Sequence, residues 1–299
     1  MKNWPFILTL GILFLFTLWG HRTLSGMSSP SALPAIPRSI VSLAPSVTET
    51  LYALGLGERI VGVTQFCAYP PEVKSKPRVA GFGDINYEAV LRLRPDIVAL
   101  PLDMAGNRRN LENLGLRVLS LDTRSMTGLM DAITALGKAT GHEAEAASTL
   151  SVIQANLASV RARAAGRPRP TVIFSVMHAY QGLGQITEID AIGDDGFYSE
   201  MIKAAGGRNA YQGSLSFPRL SREALAFLNP DVIIDVIPAG ENQDAVRRAW
   251  QSLSSISAIK NNRLHLLTDE ADTVPGPRFY QTLNKLSLAF HPEPLPQTP

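Results

Sequence analysis

Three phenylalanines stand in loop segments rich in Gly or Pro, each beside the end of a predicted strand. Phe66 precedes a Tyr-Pro-Pro sequence, Phe82 lies between two glycines, and Phe217 precedes a proline. Aromatic side chains in such loops are poor core material but good walls for a large planar ligand. Any one of them could simply pack against its own loop, whereas the three together favour contact with a ligand.

Further candidate ligand contacts lie in the same kind of segment. They are Pro45, Ser46, Tyr69, Gly83, His178 and Arg278. Open α/β sheets bind ligands in the crevice beyond the carboxyl ends of their strands. We therefore expect these residues to border one ligand site.

The common enzyme motifs are missing from the sequence. Gly81-Phe82-Gly83 lacks the third glycine of a dinucleotide-binding fingerprint, and no G-x-S-x-G, H-E-x-x-H or C-x-x-C sequence occurs. Apart from His21, only His142 precedes the second half of the chain, so a metal site built from both halves is disfavoured. We predict no catalytic residues, no metal and no cofactor of its own.

The composition is that of a globular chain of about two domains. The 299 residues are 45% hydrophobic and 18% charged, with a formal net charge of +2. So small a charge, without a basic block, argues against a nucleic-acid partner. Cys67 is the single cysteine, which excludes an internal disulfide.

The N-terminus has the pattern of an export signal. Lys2 precedes an apolar run over residues 6–19, which is shorter than the roughly 20 residues that a spanning helix needs. We assign residues 1–26 to a signal peptide and 27–37 to a tether. No clear cleavage site is present, so retention as a membrane anchor stays open. The predicted location is the periplasm or cell envelope.

A long helix is predicted between two strand-rich segments. Residues 142–166 contain no Gly or Pro until Gly166, and Leu150, Ile153, Leu157 and Val160 recur at helical spacing. At 1.5 Å per residue such a helix spans roughly 35 Å. We predict that this segment, called the strut below, is a rigid link between two lobes.

Each flanking segment has the pattern of a parallel sheet covered by helices. Apolar runs such as Asp96–Leu100 and Asp231–Val236 are continuous rather than alternating, and helical segments separate them. The predicted fold is α/β: two doubly wound α/β lobes, at 38–141 and 167–290, joined by a single long rigid α-helix. Residues 291–299 are predicted to be a disordered tail.

The two lobes contain a weak internal repeat. A helix-capping residue (Asn86, Ser221), a glutamate (Glu88, Glu223) and a Pro-Asp turn recur 135 residues apart. An acid in the first turn of a helix is stabilised by the helix dipole, which would explain each glutamate alone.

Three segments resemble the cobalamin and ferric-siderophore class of periplasmic binding proteins, which serve ATP-driven importers. They are Ile40–Glu49 (IVSLAPSVTE), Gly62-Val63 with Tyr69-Pro70-Pro71, and Leu93–Val98 (LRPDIV). The resemblance extends over about residues 38–290, and the Tyr-Pro-Pro sequence and paired glutamates are most similar to the branch that binds vitamin B12.

The resemblance implies a function for the chain. It implies two lobes with a ligand held in the shallow groove between them, and Glu88 and Glu223 docking onto arginine pockets of an ABC permease. The expected ligand is a corrinoid, cobalamin (vitamin B12), with a ferric siderophore or haem as the alternative and an envelope enzyme or sensor domain as a second alternative. The expected partners are the permease and ATPase complex, and the chain is expected to be a monomer.

Four residues remain ambiguous within the resemblance. Phe82 and Phe66 stand where the vitamin B12-binding branch has tryptophan and tyrosine, so the stacking walls remain without their polar groups. His178 could coordinate a corrinoid or haem metal, or could be a loop histidine with hydrogen-bond partners, which we favour. Arg278 could contact an acidic or amide edge of the ligand, or could pair with Asp269 or Glu270.

Overall fold

Five parallel strands form the sheet of the first lobe. The computed structural model describes residues 36–81, 84–181, 184–238 and 240–292. The strands are β1 (Ile40–Ser42), β2 (Ile60–Thr64), β3 (Arg78–Ala80), β4 (Ile97–Pro101) and β5 (Val118–Leu121). Their order in the sheet is β3-β2-β1-β4-β5. The central strands are buried almost throughout, as their continuous apolar runs predict.

The helices of this lobe begin and end where local chemistry favours it. They are α1 (Pro45–Ala53), α2 (Tyr87–Arg92), α3 (Ala105–Asn113) and α4 (Met126–Thr140), with short 3-10 turns at Gly57–Arg59 and Pro71–Ser75. Pro45 occupies the first turn of α1, where its missing N–H costs nothing. The Ser125 hydroxyl caps α4 by accepting a hydrogen bond from the Gly128 N–H at 2.9 Å. Gly141 ends α4 in the left-handed conformation.

The predicted strut is an uninterrupted helix, α5 (Glu143–Ala164). Ile153, Leu157 and Val160 are buried, and Leu150 is half-buried against the same core. The helix is 22 residues long, which corresponds to about 33 Å. The predicted single connecting helix is confirmed.

The second lobe contains a mixed sheet rather than a wholly parallel one. Its strands are β6 (Thr171–Gln181), β7 (Gln185–Ala191), β8 (Arg208–Asn209), β9 (Arg219–Ser221), β10 (Val232–Val236) and β11 (Leu264–Leu267). The main order is β11-β10-β6-β7-β9, and β8 pairs with β6. Antiparallel pairing of β7 with β6 and with β9 was not predicted.

The end of β6 explains why this hairpin was missed. β6 continues to Gln181, but its pairing with β10 covers only Val172–Ser175. From Met177 onward, β6 pairs with β7 alone. A strand in that position has no continuous apolar run to reveal it.

Helices cover the second sheet and close the fold. They are α6 (Gly196–Ala204), α7 (Arg222–Leu228), α8 (Gln243–Gln251), α9 (Ser257–Lys260) and α10 (Phe279–Phe290), with a 3-10 turn at Glu270–Thr273. His291, which was assigned to a disordered tail, is buried, and its carbonyl accepts a hydrogen bond from Arg167. That prediction was therefore wrong for His291, and residues 293–299 lie outside the described residues.

The internal repeat is visible in the structure. The orders β3-β2-β1-β4-β5 and β9-β7-β6-β10-β11 correspond strand by strand, so α2 and α7 both follow edge strands. Asn86 and Ser221 cap these helices by accepting hydrogen bonds from Ala89 N–H and Ala224 N–H. The predicted caps are confirmed.

The turns after these two helices also correspond. Arg94 and Asn229, 135 residues apart, both have positive φ. Asp96 accepts hydrogen bonds from Arg38 N–H and Ser39 N–H, and Asp231 accepts them from the Thr171 N–H and hydroxyl. The same carboxylate clamp therefore fixes the start of the central strand in each lobe.

The lobes share one hydrophobic core on the side of the strut. A single cluster of buried apolar side chains includes Leu51 and Ile133 of the first lobe, Ile153 and Leu157 of α5, and Phe174 and Leu283 of the second lobe. From Pro37 onward the described chain forms one compact unit. The relative position of the lobes is therefore fixed by packing as well as by the strut.

The described residues contain no helix that is both long and apolar enough to cross a membrane. The predicted signal peptide or anchor (1–26) and nearly all of the predicted tether (27–37) lie outside the described residues.

Close packing of α4 on α5 predicts opposite effects for two helix glycines. A Cβ added to Gly137 would lie 2.6 Å from the Ala146 Cβ, whereas one added to Gly106 in α3 meets nothing within 4 Å. We expect Gly137→Ala to lower the free energy of unfolding by about 1–3 kcal/mol and Gly106→Ala to raise it by about 0.5–1 kcal/mol. Urea unfolding of the two variants checks the signs, and stabilisation by Gly137→Ala would contradict the close helix packing.

Candidate ligand-binding groove

A buried ion pair joins the two lobes beside the strut. The Arg278 Nε donates to Glu49 Oε2 at 2.9 Å, and its Nη2 donates to Oε1 at 2.6 Å. Glu49 lies in α1, just beyond the carboxyl end of β1, and Arg278 precedes α10 in the second lobe. The pair therefore brings the carboxyl ends of the two sheets together. Arg278 does not form the ion pair with Asp269 or Glu270 that was considered from the sequence.

The surroundings of this pair hold it in place. The Arg278 guanidinium carbon lies 3.5 Å from the centroid of the Tyr69 ring, which is a cation–π contact. A Cβ added to Gly276 would lie 3.0 Å from Glu49 Oε2, so a small residue suits that position. Burial raises the pKa of Glu49, and the Arg278 guanidinium opposes this rise. Arg278 is thus the cation that favours the charged form of this buried carboxylate.

A cavity of about 660 Å³ lies along the strut beside this pair. Residues of α1, the Tyr69–Glu72 region, α5 and the start of α10 line it: Tyr52, Ala53, Glu72, Ser148, Thr149, Val152 and Tyr280. Tyr69 and Arg278 line it too, whereas Phe66, Phe217 and His178 do not. The structure therefore divides the predicted site residues between this cavity and a more open surface.

The open surface is bordered by exposed apolar side chains from both lobes. Phe66 follows β2 and is 47% exposed, and Phe217 precedes β9 and is 64% exposed. Three further large apolar side chains are exposed: Leu102 directly after β4, Met177 within β6 and Leu215 before β9. The sequence pattern did not single out Leu102 or Leu215. We call these five residues the apolar rim. Large apolar side chains that a folded chain leaves exposed are candidates for a binding surface.

Contacts between the lobes place the Phe217 segment close to the first lobe. The Ser216 hydroxyl donates to Asp195 at 2.7 Å. The next residue, Gly196, lies against the first lobe, since a Cβ added there would be 3.8 Å from the backbone oxygen of Arg124. Nearby, the Met126 N–H donates to Glu200 Oε2 at 2.8 Å. The rim of the second lobe therefore adjoins the carboxyl-end loops of the first.

The arginines in this region already have carboxylate partners. Arg124 donates to both oxygens of Asp122 at 2.9 and 2.8 Å, which lowers the pKa of Asp122 to about 2. Arg219 donates to Asp190 at 3.0 Å in the second lobe. With Arg278 bound to Glu49, three cations are each neutralised by an acid of the chain itself. The region offers hydrogen bonds without a large net charge.

His178 is part of a buried polar cluster, not a free loop residue. It lies in β6, where its Nδ1 is 3.2 Å from Asp235 Oδ1 and its Nε2 is 3.3 Å from Glu241 Oε1. Asp235 also accepts a hydrogen bond from Trp250 Nε1 at 2.7 Å. The His178 side chain is only 4% exposed. The structure therefore does not support its assignment to the ligand site, and the alternative of a histidine with hydrogen-bond partners fits.

The charge state of His178 predicts a pH dependence of stability. Burial opposes the charged imidazole, but the contacts with Asp235 and Glu241 outweigh it and raise the pKa of His178. The stabilisation is therefore complete below the unfolded pKa of about 6.5 and is lost as the pH rises through the raised value. We expect His178→Gln to be more destabilising at pH 6 than at pH 9 in urea unfolding.

Ile153→Val serves as the control for this prediction, since it removes one methyl group from the buried face of the strut and no titratable group. Its effect on unfolding should be similar at both pH values. If the loss of stability caused by His178→Gln were constant or grew with pH, the positive charge assigned to His178 would be contradicted.

The remaining predicted ligand contacts have different environments. Pro45 is half-buried in the first turn of α1, and Ser46 is buried, so Ser46 is not well placed to touch a ligand. Phe82 and Gly83 lie outside the described residues. Among the residues that the structure describes, no group of three or more His, Cys, Asp or Glu side chains could hold a metal ion.

Both predicted docking glutamates are exposed at the starts of equivalent helices. Glu88 in α2 is paired with Arg92 one turn later, at 2.7 Å. Glu223 in α7 accepts a hydrogen bond from the Ser221 hydroxyl at 2.7 Å, which lowers the pKa of Glu223. Neither residue borders the cavity along the strut.

Two α/β lobes joined by one long helix and a shared core have the architecture of a two-lobed solute-binding protein. The chain belongs to the periplasmic binding protein family, whose model matches residues 40–271. This confirms both the family resemblance and the predicted fold class. Membership makes the chain a substrate-binding protein of the ABC importer type.

Several relatives carry functional descriptions. The chain is 30% identical over 264 residues to an ABC transporter substrate-binding lipoprotein of Bacillus subtilis, with 86% of this chain and 81% of that protein covered. It is 30% identical over 260 residues to a vitamin B12-binding protein of Vibrio cholerae, with 84% and 88% covered. A periplasmic haem-binding protein from Pseudomonas aeruginosa has a TM-score of 0.74 at 26% identity, with 88% and 95% covered.

Proposed function

We propose that this protein binds a corrinoid, cobalamin, in the groove between its lobes and delivers it to an ABC permease and ATPase complex in the cell envelope. The observation that carries the proposal is the apolar rim, a set of exposed aromatic and aliphatic side chains contributed by both lobes. Because a shared core and an ion pair hold the lobes, the walls are formed before the ligand arrives.

The ion pairs of three arginines favour cobalamin over an anionic ligand. Cobalamin is a large macrocycle edged mainly by neutral amides, whereas haem carries two propionates. An anionic ligand would be favoured by unpaired cations, but Arg124, Arg219 and Arg278 are each paired with a carboxylate. Paired guanidinium groups retain hydrogen-bond donors that suit amide oxygens.

Haem is the second candidate, and the haem-binding structural relative favours it. A histidine ligand for iron is the chemistry that this candidate would use most simply. His178 is engaged with Asp235 and Glu241, and His291 is buried at the end of α10. The rim therefore lends haem less support than cobalamin. A ferric siderophore remains the third ligand to test.

Equilibrium titration distinguishes these ligands. The purified chain is titrated separately with cyanocobalamin, haemin and a ferric hydroxamate chelate, and binding is followed by calorimetry. Saturable binding of cyanocobalamin at one equivalent, tighter than that of the other two, supports the proposal. Binding of only haemin or the ferric chelate would overturn the assignment of the ligand and leave the importer role standing.

Removal of the rim aromatics should weaken ligand binding. We expect the Phe66→Ala/Phe217→Ala double variant to lose about 100-fold in affinity, since each ring contributes stacking and buried apolar area. The Leu114→Ala/Leu288→Ala variant, which removes exposed apolar groups outside the rim, is the matched control and should bind normally. An unchanged affinity of the Phe66→Ala/Phe217→Ala protein would move the ligand away from the rim.

A further inference from the structure

Phe227 is exposed to a degree that a folded chain rarely tolerates for such a side chain. It is 88% exposed, more than any other large hydrophobic residue that the structure describes. It lies in α7, four residues after Glu223, so the two side chains are neighbours on the helix surface. It does not border the cavity along the strut, and it is not part of the apolar rim. An exposed aromatic beside an exposed acid suggests a surface for a partner.

The internal repeat shows what the first lobe has at the same position. Phe227 corresponds to Arg92, 135 residues earlier, just as Glu223 corresponds to Glu88. Arg92 neutralises Glu88 through an ion pair at 2.7 Å. Glu223 accepts instead from the neutral Ser221 hydroxyl. The two lobes therefore present different surfaces: a closed ion pair in the first, and an acid with an aromatic ring in the second.

This difference has energetic consequences for docking. A cation on a partner must displace Arg92 to reach Glu88, whereas Glu223 has no such ion pair to break. Burying most of a phenylalanine side chain strengthens binding by about 10–100-fold. Interfaces draw most of their affinity from a few such aromatic anchors beside charged contacts. The second lobe should therefore bind the partner more strongly than the first.

We propose that Phe227 is the apolar anchor of the docking surface, inserting into an apolar pocket of the permease next to the cation that receives Glu223. This inference rests on the proposed importer function and deepens it. A partner of this chemistry combines a hydrophobic pocket with a flanking guanidinium or ammonium group. The docking surface is accordingly asymmetric: the α7 side contributes more to the affinity for the permease than the α2 side.

The charge on this surface favours a permease over a second copy of the chain. A two-fold contact between copies through Phe227 would place the same patch on both sides. The neighbouring Glu223 residues would then approach each other, which is unfavourable for like charges. A cationic partner surface has no such cost.

Site-specific photo-crosslinking in the native host tests the contact. Two variants are prepared separately, Phe227→p-benzoylphenylalanine on the second lobe and Leu91→p-benzoylphenylalanine on the first. Each is irradiated in cells, and its adducts are identified by mass spectrometry. The expected result is a polytopic permease subunit captured at position 227, in a yield that falls when Glu223→Ala is added. Capture of the permease at position 91 alone, or of a second copy of the chain at 227, would overturn the anchor.

A titration with the captured permease and ATPase complex in nanodiscs measures how much Phe227 contributes to docking. Phe227→Ala should raise the concentration of ligand-loaded protein needed for half-maximal ATPase activity by about 10–100-fold. Arg92→Ala should leave that concentration unchanged or lower it, and thermal melting shows that each variant is folded. An unchanged value for Phe227→Ala, with stimulation lost in Glu223→Ala, would refute the anchor and preserve the importer function. Failure of the unaltered protein to stimulate would overturn both.

Discussion

The Glu88→Ala/Glu223→Ala protein is expected to bind its ligand with unaltered affinity and to leave the ATPase of its transporter unstimulated. Both carboxylates are exposed at the first turn of equivalent helices, outside the cavity along the strut and outside the apolar rim. An exposed carboxylate in that position can accept two parallel hydrogen bonds from a guanidinium of the permease. Removing both deprives each lobe of its charged contact.

The measurement is ATPase activity of the permease complex in nanodiscs at saturating loaded protein, with ligand affinity determined by calorimetry. Glu112→Ala/Asp131→Ala removes two acids elsewhere in the first lobe, neither of which borders the cavity, and serves as the control, with full stimulation expected. Loss of ligand affinity in the Glu88→Ala/Glu223→Ala protein would instead assign these residues to the ligand site. Full stimulation by that protein would remove them from the docking surface.

Glu49→Gln is expected to lower the free energy of unfolding by about 3 kcal/mol. The change keeps the shape of the side chain but leaves the largely buried Arg278 guanidinium without its counter-charge. Because the pair joins segments 229 residues apart in the chain, its loss should loosen the contact between the lobes as well. Urea unfolding measures the stability, and ligand affinity should fall with it as the gap becomes less well defined.

A double-mutant cycle separates the ion pair from simple packing. Arg278→Met alone leaves Glu49 buried and uncompensated, so it should destabilise at least as much as Glu49→Gln. The Glu49→Gln/Arg278→Met protein should be more stable than the sum of the single effects predicts, since neither charge is left alone. Additive effects would mean that the two charges do not interact across the lobes.

The features that the sequence predicted are those encoded locally. The strut follows from an apolar stripe at helical spacing, and its buried residues Ile153, Leu157 and Val160 are the predicted ones. The caps Asn86 and Ser221 follow from residue type and position, and both make the expected hydrogen bond. Such features depend on neighbours within one or two helical turns, so their pattern is visible in the chain.

The features that were missed depend on distant partners. Glu49 lies in a short helix whose neighbours Thr48 and Thr50 are also buried, so no periodic pattern marks it as the partner of Arg278. Asp235 offered a better signal, because an acid in an otherwise apolar buried strand requires a partner. Which partner it would find, His178 and Trp250, could not be inferred without the fold. The sequence likewise did not reveal that Leu102 and Leu215 join the apolar rim.

A corrinoid held between the two lobes is the ligand that we propose for this protein. The most direct measurement is the visible absorbance spectrum of the protein isolated from its own host without added ligand, followed by mass spectrometry of the extracted chromophore. We expect corrin absorption bands and a cobalt-containing chromophore, present in the native protein and reduced in the Phe66→Ala/Phe217→Ala protein. A haem Soret band or a ferric chelate spectrum, with no cobalt, would contradict it.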